Sequence, residues 1–511
     1  MEIMSENINI SQTVAKGKTD TVCDGNIIVP DKKPDILKVV QVDSKACITD
    51  KVVRDNKISL SGKVCLTILY IPDSDSQNIA SINSSFDFSE TVNVSGVEEG
   101  MNIIASADVT RVDFNIINSR KIHIKNVLCL TYEVIEIKNV DVATGVEDDN
   151  IEVKTESVKM KNVYDICDHE FVMNEDISLL AGQNDVSDIL KTDVEITDTE
   201  YKTISGRIIL KGIVNVCVLY LADNGEIEHT ENEMPFTEIV ESESTLDNMD
   251  CDVWYSVIDS SCEAGENSDG DMRDIKLSID IMAGVKASRN EEINVISDCY
   301  IPGKNTEIKS EDITIEENVL SVEEQNTIRD IVDFPDGVPR VKSVYNVVMT
   351  PVVSKTDIVG GRLICEGKID AYILYLSENS ENPVYSLHHE MPYTVAIDVN
   401  VSGDDLVINP RVEIKHSGYT LNAAGEIELR CILNISADIV RNNEISLIDD
   451  ITDTDMENNG ANIVIYFTKK GDSVWDIAKR YSVPVDNILR YNNIDNQDKL
   501  RAGERIFVSA R

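Results

Sequence analysis

Three stretches of this chain are copies of one another, and they decide most of what it can fold into. SGKVCLTILYIPDSD from Ser61, KGIVNVCVLYLADNG from Lys211 and EGKIDAYILYLSENS from Glu366 align on Gly62, Gly212 and Gly367. At offsets two, four, six and eight stand Val64, Leu66, Ile68 and Tyr70 in the first copy. The second has Val214, Val216, Val218 and Tyr220, and the third has Ile369, Ala371, Ile373 and Tyr375. A period of two with one apolar face is the signature of a β-strand. The opposite set in the first copy, Lys63, Cys65, Thr67 and Leu69, is mixed, as on a partly exposed face. Each strand runs into a turn signal (PDSD, ADNG or SENS) that suits a hairpin.

The likeness extends to both sides. PDILKVVQV at Pro34, SDILKTDVE at Ser187 and PRVKSVYNV at Pro339 precede the glycines as a similar, PDIL-like entry. FDFSETV, MPFTEIV and MPYTVAI follow, from Phe86, Met234 and Met391. A second hairpin then turns at INSRK, SDGDM and NAAGE. The glycines are 150 and then 155 residues apart, a domain-sized period. The expectation is a mainly β protein of three tandem sandwich-like domains, 1–165, 166–318 and 319–450. An acidic linker at 451–461 then leads to a small closing module at 462–511.

The module differs from the rest in charge. Residues 461–511 carry nine Lys/Arg and six Asp/Glu, whereas the other 460 residues carry 38 and 86. The pattern predicts strand, helix, helix, strand. IVIYFTKK is strand-like, and Gly471-Asp472 turns the chain. Ser473 with Asp476 forms a capping box. Val474, Ile477, Ala478 and Tyr481 share one helix face. Pro484 can open a second helix, along which Val485, Ile488 and Leu489 face inward, and Asn492-Asn493 can end it. In so small a domain Trp475 belongs in or near the core, and Lys469, Lys470, Lys479 and Arg480 most simply make a solvated face. A basic module on an acidic body also suits an acidic partner, the protein's own repeats among them.

The run Tyr466, Gly471-Asp472-Ser473, Trp475-Asp476-Ile477-Ala478, Tyr481, Asn492-Asn493 and Gly503 resembles a LysM domain. That resemblance implies a βααβ fold and binding of N-acetylglucosamine glycans, peptidoglycan among them. Carried over by position, it implicates Gly471, Asp472, Ser473, Asn493 and Ile494 as the groove or docking face. Lys469, Lys470, Trp475, Lys479, Arg490 and Tyr491 make the candidate partner-contact face. Thr468, Ala502 and Ser509 depart from the family pattern. The repeats resemble SPOCS domains, and the whole is similar to the SipL-type coat morphogenetic proteins. That resemblance implies a non-enzymatic scaffold in the mother-cell cytosol, at the forespore surface. Its expected partners are a coat basement-layer ATPase of the SpoIVA type and other coat proteins. A glycan-binding protein of wall or cortex is the alternative.

Other chemistry is thin. The net charge of −45 repels phosphate backbones and anionic lipid, so nucleic acid is a poor partner. The opening residues carry no basic-then-apolar signal pattern, and no run of ~18 apolar residues can span a membrane. The default compartment is therefore the cytosol. Eleven cysteines without a CxxC pair are expected as reduced, mostly buried thiols. Neither a phosphate loop nor a serine elbow is present. His388-His389 would point to opposite faces of a strand, which disfavours a metal site, and His123 is expected on an outward face. ENSDGDMRD falls at a hairpin turn and lacks the calcium-loop spacing. We expect no cofactor, no metal and no catalytic residues.

Overall fold

A computed structural model describes the chain except residues 1–2, 75–78, 147–149, 336, 378–383, 402, 404, 423–424, 456–462, 495–499 and 510–511. The linker at 451–461 and parts of the SENS and NAAGE turns therefore lie largely outside the described residues.

Each repeat has six strands in two antiparallel sheets. The first comprises β1 (Ile3–Ile28), β2 (Ile36–Arg54), β3 (Lys57–Pro72), β4 (Ala80–Asn93), β5 (Asn102–Asn118) and β6 (Lys121–Val146). Its sheets are ordered β1-β6-β5 and β2-β3-β4. The second comprises β7 (Glu152–Ser178), β8 (Val186–Ile204), β9 (Arg207–Ala222), β10 (Ile227–Glu241), β11 (Asp250–Gly265) and β12 (Asp274–Tyr300). The third comprises β13 (Lys304–Ile331), β14 (Val341–Val359), β15 (Arg362–Ser377), β16 (Val384–Asp398), β17 (Leu406–Leu421) and β18 (Ile427–Asp455). The closing module is β19 (Ile463–Phe467), α1 (Val474–Arg480), α2 (Val485–Asn492) and β20 (Arg505–Ser509).

The period-two residues build the cores. Val64, Leu66, Ile68 and Tyr70, and their counterparts on β9 and β15, are all buried. In the first repeat they meet Ile122, Ile124, Leu128 and Leu130 of β6 in a single cluster, so the two sheets close face to face as a sandwich. The aligned glycines have a steric cause. Phe88, Phe236 and Tyr393 sit directly opposite Gly62, Gly212 and Gly367 on the next strand and lay their rings over them. A Cβ on Gly62 would stand 2.6 Å from the Phe88 ring and 2.1 Å from the Cys47 carbonyl oxygen.

The strand bounds move the repeat boundaries. Residues 152–165, expected in the first repeat, are the start of β7 and pair with β12 of the second. Residues 304–318 pair with β18 of the third, and 451–455, expected as linker, end that same strand. The period-two pattern continues through these segments, but their partners lie more than a hundred residues away. The register also separates two look-alike segments. PDIL and SDIL are not equivalent: the bulge after Ile36 recurs after Val186, three residues before the similarity places it. Leu37 is accordingly 63% exposed and Leu190 fully buried, the latter in the place of Val40.

The repeats surround an approximate threefold axis. At one end Leu69, Leu219 and Leu374, seven residues past each glycine, share a cluster with Leu190 and Tyr345. At the other, the long arms β1/β6, β7/β12 and β13/β18 bring together Ile10, Met160 and Ile315 with Val142, Val295 and Leu447. Charged pairs between repeats lie along the axis. Buried Lys191 pairs with Asp43 of the first repeat at 2.5 Å and with Asp193 at 2.9 Å. Burial alone would lower its ammonium pKa, but the two carboxylates outweigh burial and hold it above the usual lysine value. Farther along, Lys161 pairs with Asp438 of the third repeat at 2.8 Å, and Lys286 faces Glu133 of the first at 3.7 Å. Equivalent positions thus carry unlike charges, so the contacts between repeats are not interchangeable.

All eleven cysteines are free thiols, six buried and five half-buried. Burial pushes Cys217 up to about 12, so its reactive thiolate is suppressed at neutral pH. Among the described residues no helix is long and apolar enough to cross a membrane.

Candidate docking surface

The closing module folds as its pattern requires. Ser473 caps α1: its hydroxyl accepts the Asp476 amide, and the Asp476 carboxylate accepts the Ser473 amide. Asn493 ends α2 in the left-handed region at φ 53°. The neighbouring Asn492 clamps α2 to β20, donating to the Ile488 and Phe507 carbonyls and accepting the Phe507 amide at 2.7 Å. Thr468 is buried where β19 ends. Its amide donates to the Glu504 carbonyl at 2.9 Å, its carbonyl accepts the Gly503 amide at 2.7 Å, and its hydroxyl accepts the Glu504 amide at 2.9 Å. A hydroxyl here satisfies backbone groups that an aliphatic side chain would leave unpaired.

The expected groove residues divide between two loops, before α1 and after α2. Gly471 is exposed, with φ 95°, a backbone region that glycine enters without strain. The Asp472 carboxylate accepts the Lys469 amide at 2.8 Å and the Tyr466 hydroxyl at 2.6 Å. Those two hydrogen bonds, the amide's first, hold its pKa below the usual carboxylate range. The first loop is thus braced from inside, with Lys469 and Lys470 projecting into solvent. Asn493 and Ile494 open the second loop, whose residues 495–499 lie outside the described residues. Arg490 and Tyr491 are exposed on α2.

Trp475 and Lys479 behave differently from the rest of the expected partner face. They turn from solvent toward the second repeat. The indole Nε1 of Trp475 donates to Asp298 Oδ2 at 2.8 Å, and Lys479 pairs with Asp298 Oδ1. The Trp475 ring meets Tyr300 edge-on at 5.1 Å. Tyr300, from the end of β12, is buried in the module's own core and donates its hydroxyl to the Val483 carbonyl at 2.8 Å. Across the boundary the Gly303 amide donates to the Ser482 carbonyl at 2.8 Å, the Ser482 hydroxyl donates to the Lys304 carbonyl at 3.0 Å, and Glu152 accepts the Val485 amide at 3.3 Å. The α1 face and the α1–α2 turn therefore dock on the body, while Ser473 and Asn493 lie at the opposite end of the two helices.

One surface went unnoticed in the sequence. Ile463, Ile465 and Phe467 alternate along β19 and are all exposed. Val464 and Tyr466 between them face the helices. The signal was present in IVIYF, where both faces of the strand are apolar. Helices cover only one face of a two-stranded sheet, so the other stays in water. The basic residues Lys469, Lys470, Arg501 and Arg505 are also exposed, and the Arg505 guanidinium lies 4.7 Å from the Phe507 ring centre.

Elsewhere, chemistry-bearing residues resolve into local pairs. His388 bonds Asp370 and His389 bonds Asp330, on opposite faces of β16. Asp370, His388 and Glu390 lie close enough to share a cation, but the Lys368 ammonium already pairs with both carboxylates. The ENSDGDMRD segment is a hairpin turn in which Asn267 Oδ1 accepts the Asp269 and Asp271 amides. His123 is half-buried, with its ring 3.5 Å from the Asp24 carboxylate.

Comparison with known families matches residues 35–117, 185–264 and 340–422 to the description SipL, SPOCS domain, and residues 466–509 to the LysM domain. Each SPOCS match runs from β2 to β5 or its counterparts and leaves out the long arms. Neither a curated protein nor a solved structure gives a match.

Proposed function

This chain is a SipL-type protein, three SPOCS domains closed by a LysM domain, and we propose that it is a non-enzymatic scaffold for spore coat assembly. The matched domains make it sporulation-related, with a module of the glycan-binding type, and both are binding domains without catalytic machinery. In our reading the LysM domain docks on a coat basement-layer ATPase of the SpoIVA type, in the mother cell at the forespore surface. The repeats then offer surface to other coat proteins.

The observation that carries this reading is the way the module is held. Trp475, Lys479 and the α1–α2 turn are committed to Asp298, Tyr300 and their neighbours, so the body bears one side of the module. The other side presents an apolar strip at Ile463, Ile465 and Phe467 with basic residues beside it. A flat apolar strip with a basic rim suits an acidic protein surface better than a sugar, which needs concave polar contacts.

A fluorescent fusion in sporulating cells tests the proposal. We expect a shell around the forespore, and diffuse signal for Phe467→Glu. Uniform mother-cell fluorescence of the unaltered protein would end the scaffold reading. Retention of the full chain on purified peptidoglycan without capture of the ATPase would favour the glycan alternative.

A further inference from the structure

The repeats meet in seams of one kind, and two of the three are closed. At the first, β11 lies across the outer face of β2 and β3. Ile258 is the extra residue of a bulge in β11, and its carbonyl accepts the Cys47 and Cys65 thiols at 3.8 and 3.7 Å. Beside the bulge, Asp259 pairs with Lys63 at 2.8 Å. At the second, β17 packs on β8, and His416, next to the equivalent bulge, lies near Glu195.

By the same rule the third seam would lay β5, whose bulge falls at Thr110, across β14 and β15. It is open. Val352 stands opposite Lys368 as Cys47 stands opposite Lys63, yet Cys47 is 4% exposed and Val352 38%. Tyr372 and His388 on that face are exposed too, as are Thr110, Arg111 and Phe114 on β5. Among the described residues no hydrogen bond or ion pair joins β5 to β14 or β15. Their repeats are nevertheless tied through the arms, and Lys16 donates to Asn409 at 3.0 Å. Within one chain the two halves of this seam are therefore held apart.

The halves are complementary in charge. At the closed first seam a cation on the face, Lys63, meets an anion beside the bulge, Asp259. At the open seam Lys368 keeps the place of Lys63, but Asp370 and Glu390 beside it leave that face with an excess negative charge. Beside the bulge stands a cation, Arg111, which within the chain pairs with its near neighbour Asp113 at 2.9 Å on the exposed surface. Phe114 and Tyr372 add an exposed ring to each half.

We propose that the open seam joins this protein to a second copy of itself: the β5 edge of one chain, with Thr110, Arg111 and Phe114, seats on the β14–β15 face of the next, with Val352, Asp370 and Tyr372. The two surfaces differ, so the contact is head-to-tail, and each joined chain keeps one free half. Such a contact extends into chains or closes into rings. It uses neither the LysM domain nor its partner, so it stands or falls apart from the docking proposal.

Light scattering and sedimentation of the full chain test it. Mass should rise with concentration in steps of 56.8 kDa. Arg111→Glu and Asp370→Lys, each alone, should weaken association at least ~10-fold. Mixed together they should associate again, since each variant retains one intact half and the two reversed charges also match each other. Damaged folding cannot produce that complementation, and an unchanged circular dichroism spectrum provides a second check. A chain that stays monomeric at every concentration would overturn the proposal. So would association indifferent to both substitutions, or a disulfide forming between Thr110→Cys and Val352→Cys within a single monomer.

Discussion

The indole N–H of Trp475 reaches back 177 residues to the carboxylate of Asp298, at 2.8 Å. That bond, with the Tyr300 ring beside it, makes the last fifty residues part of the body rather than a tethered bead. Asp298→Ala should remove the shared acceptor of Trp475 and Lys479. Lys479 is too exposed for its ion pair to count for much, so about 1–2 kcal/mol of docking is expected to go with the indole bond. In a Trp254→Phe background, Trp475 is the sole tryptophan, and its emission should shift to the red. An unshifted spectrum would mean that the domain is held by other contacts.

The three aligned glycines should not respond alike to alanine. At Gly62 and Gly367 a Cβ would meet backbone oxygens, Cys47 O at 2.1 Å and Val352 O at 2.2 Å. At Gly212 the nearest atoms belong to the Phe236 ring, at 2.7 Å, and the carbonyl of Thr197 stays 3.3 Å away. A side chain yields more readily than a paired strand. Gly62→Ala and Gly367→Ala should therefore cost about 2–3 kcal/mol and Gly212→Ala about 1 kcal/mol, read from denaturant midpoints.

Much of this architecture was legible in advance, and the rest was not for physical reasons. The alternation after each glycine named the buried faces because a strand repeats every two residues whatever lies around it. The capping box at Ser473 was equally local. By contrast, the opening residues of β7 and β13 were assigned to the preceding repeat because β7 and β12, or β13 and β18, share no turn that would mark them as partners. SDIL misled because four similar residues say nothing about a bulge. No periodicity announces that Asp298 and Tyr300 lie under a helix near the far end of the chain. The groove residues were placed by resemblance, and the exposed strip on β19 needed only the recognition that a two-stranded sheet has an uncovered side.

Lys191 offers a test of the axis. Removing it leaves Asp43 and Asp193 facing each other without a cation in a largely buried site. Lys191→Ala should destabilise the body by about 3–5 kcal/mol. Asn346→Ala, which removes only a neutral donor to Asp193, should cost about 1 kcal/mol. Equal effects in chemical denaturation would show that the charges do not hold the repeats together.

Glu316 gives a pH dependence with a definite sign. Burial raises its pKa, although Lys286 and Lys161 oppose the shift. A carboxyl whose folded pKa is raised favours the folded state while protonated and loses that contribution as pH rises through the folded pKa. Glu316→Gln should therefore be neutral below about pH 4, the unfolded range of glutamate, and stabilising at pH 7. Melting temperatures of both proteins across that range would check the crossover.

The docking claim is tested most directly by titrating the full chain into a purified coat basement-layer ATPase. The full chain is required because Tyr300 of the second repeat completes the LysM core. Saturable binding is expected for the unaltered protein, weakened at least ~100-fold by Ile465→Glu with Phe467→Glu and unaffected by Lys211→Glu on the second repeat. Equal affinity with and without the β19 substitutions would contradict the assignment of that face. Absence of binding by the unaltered chain would contradict the docking itself.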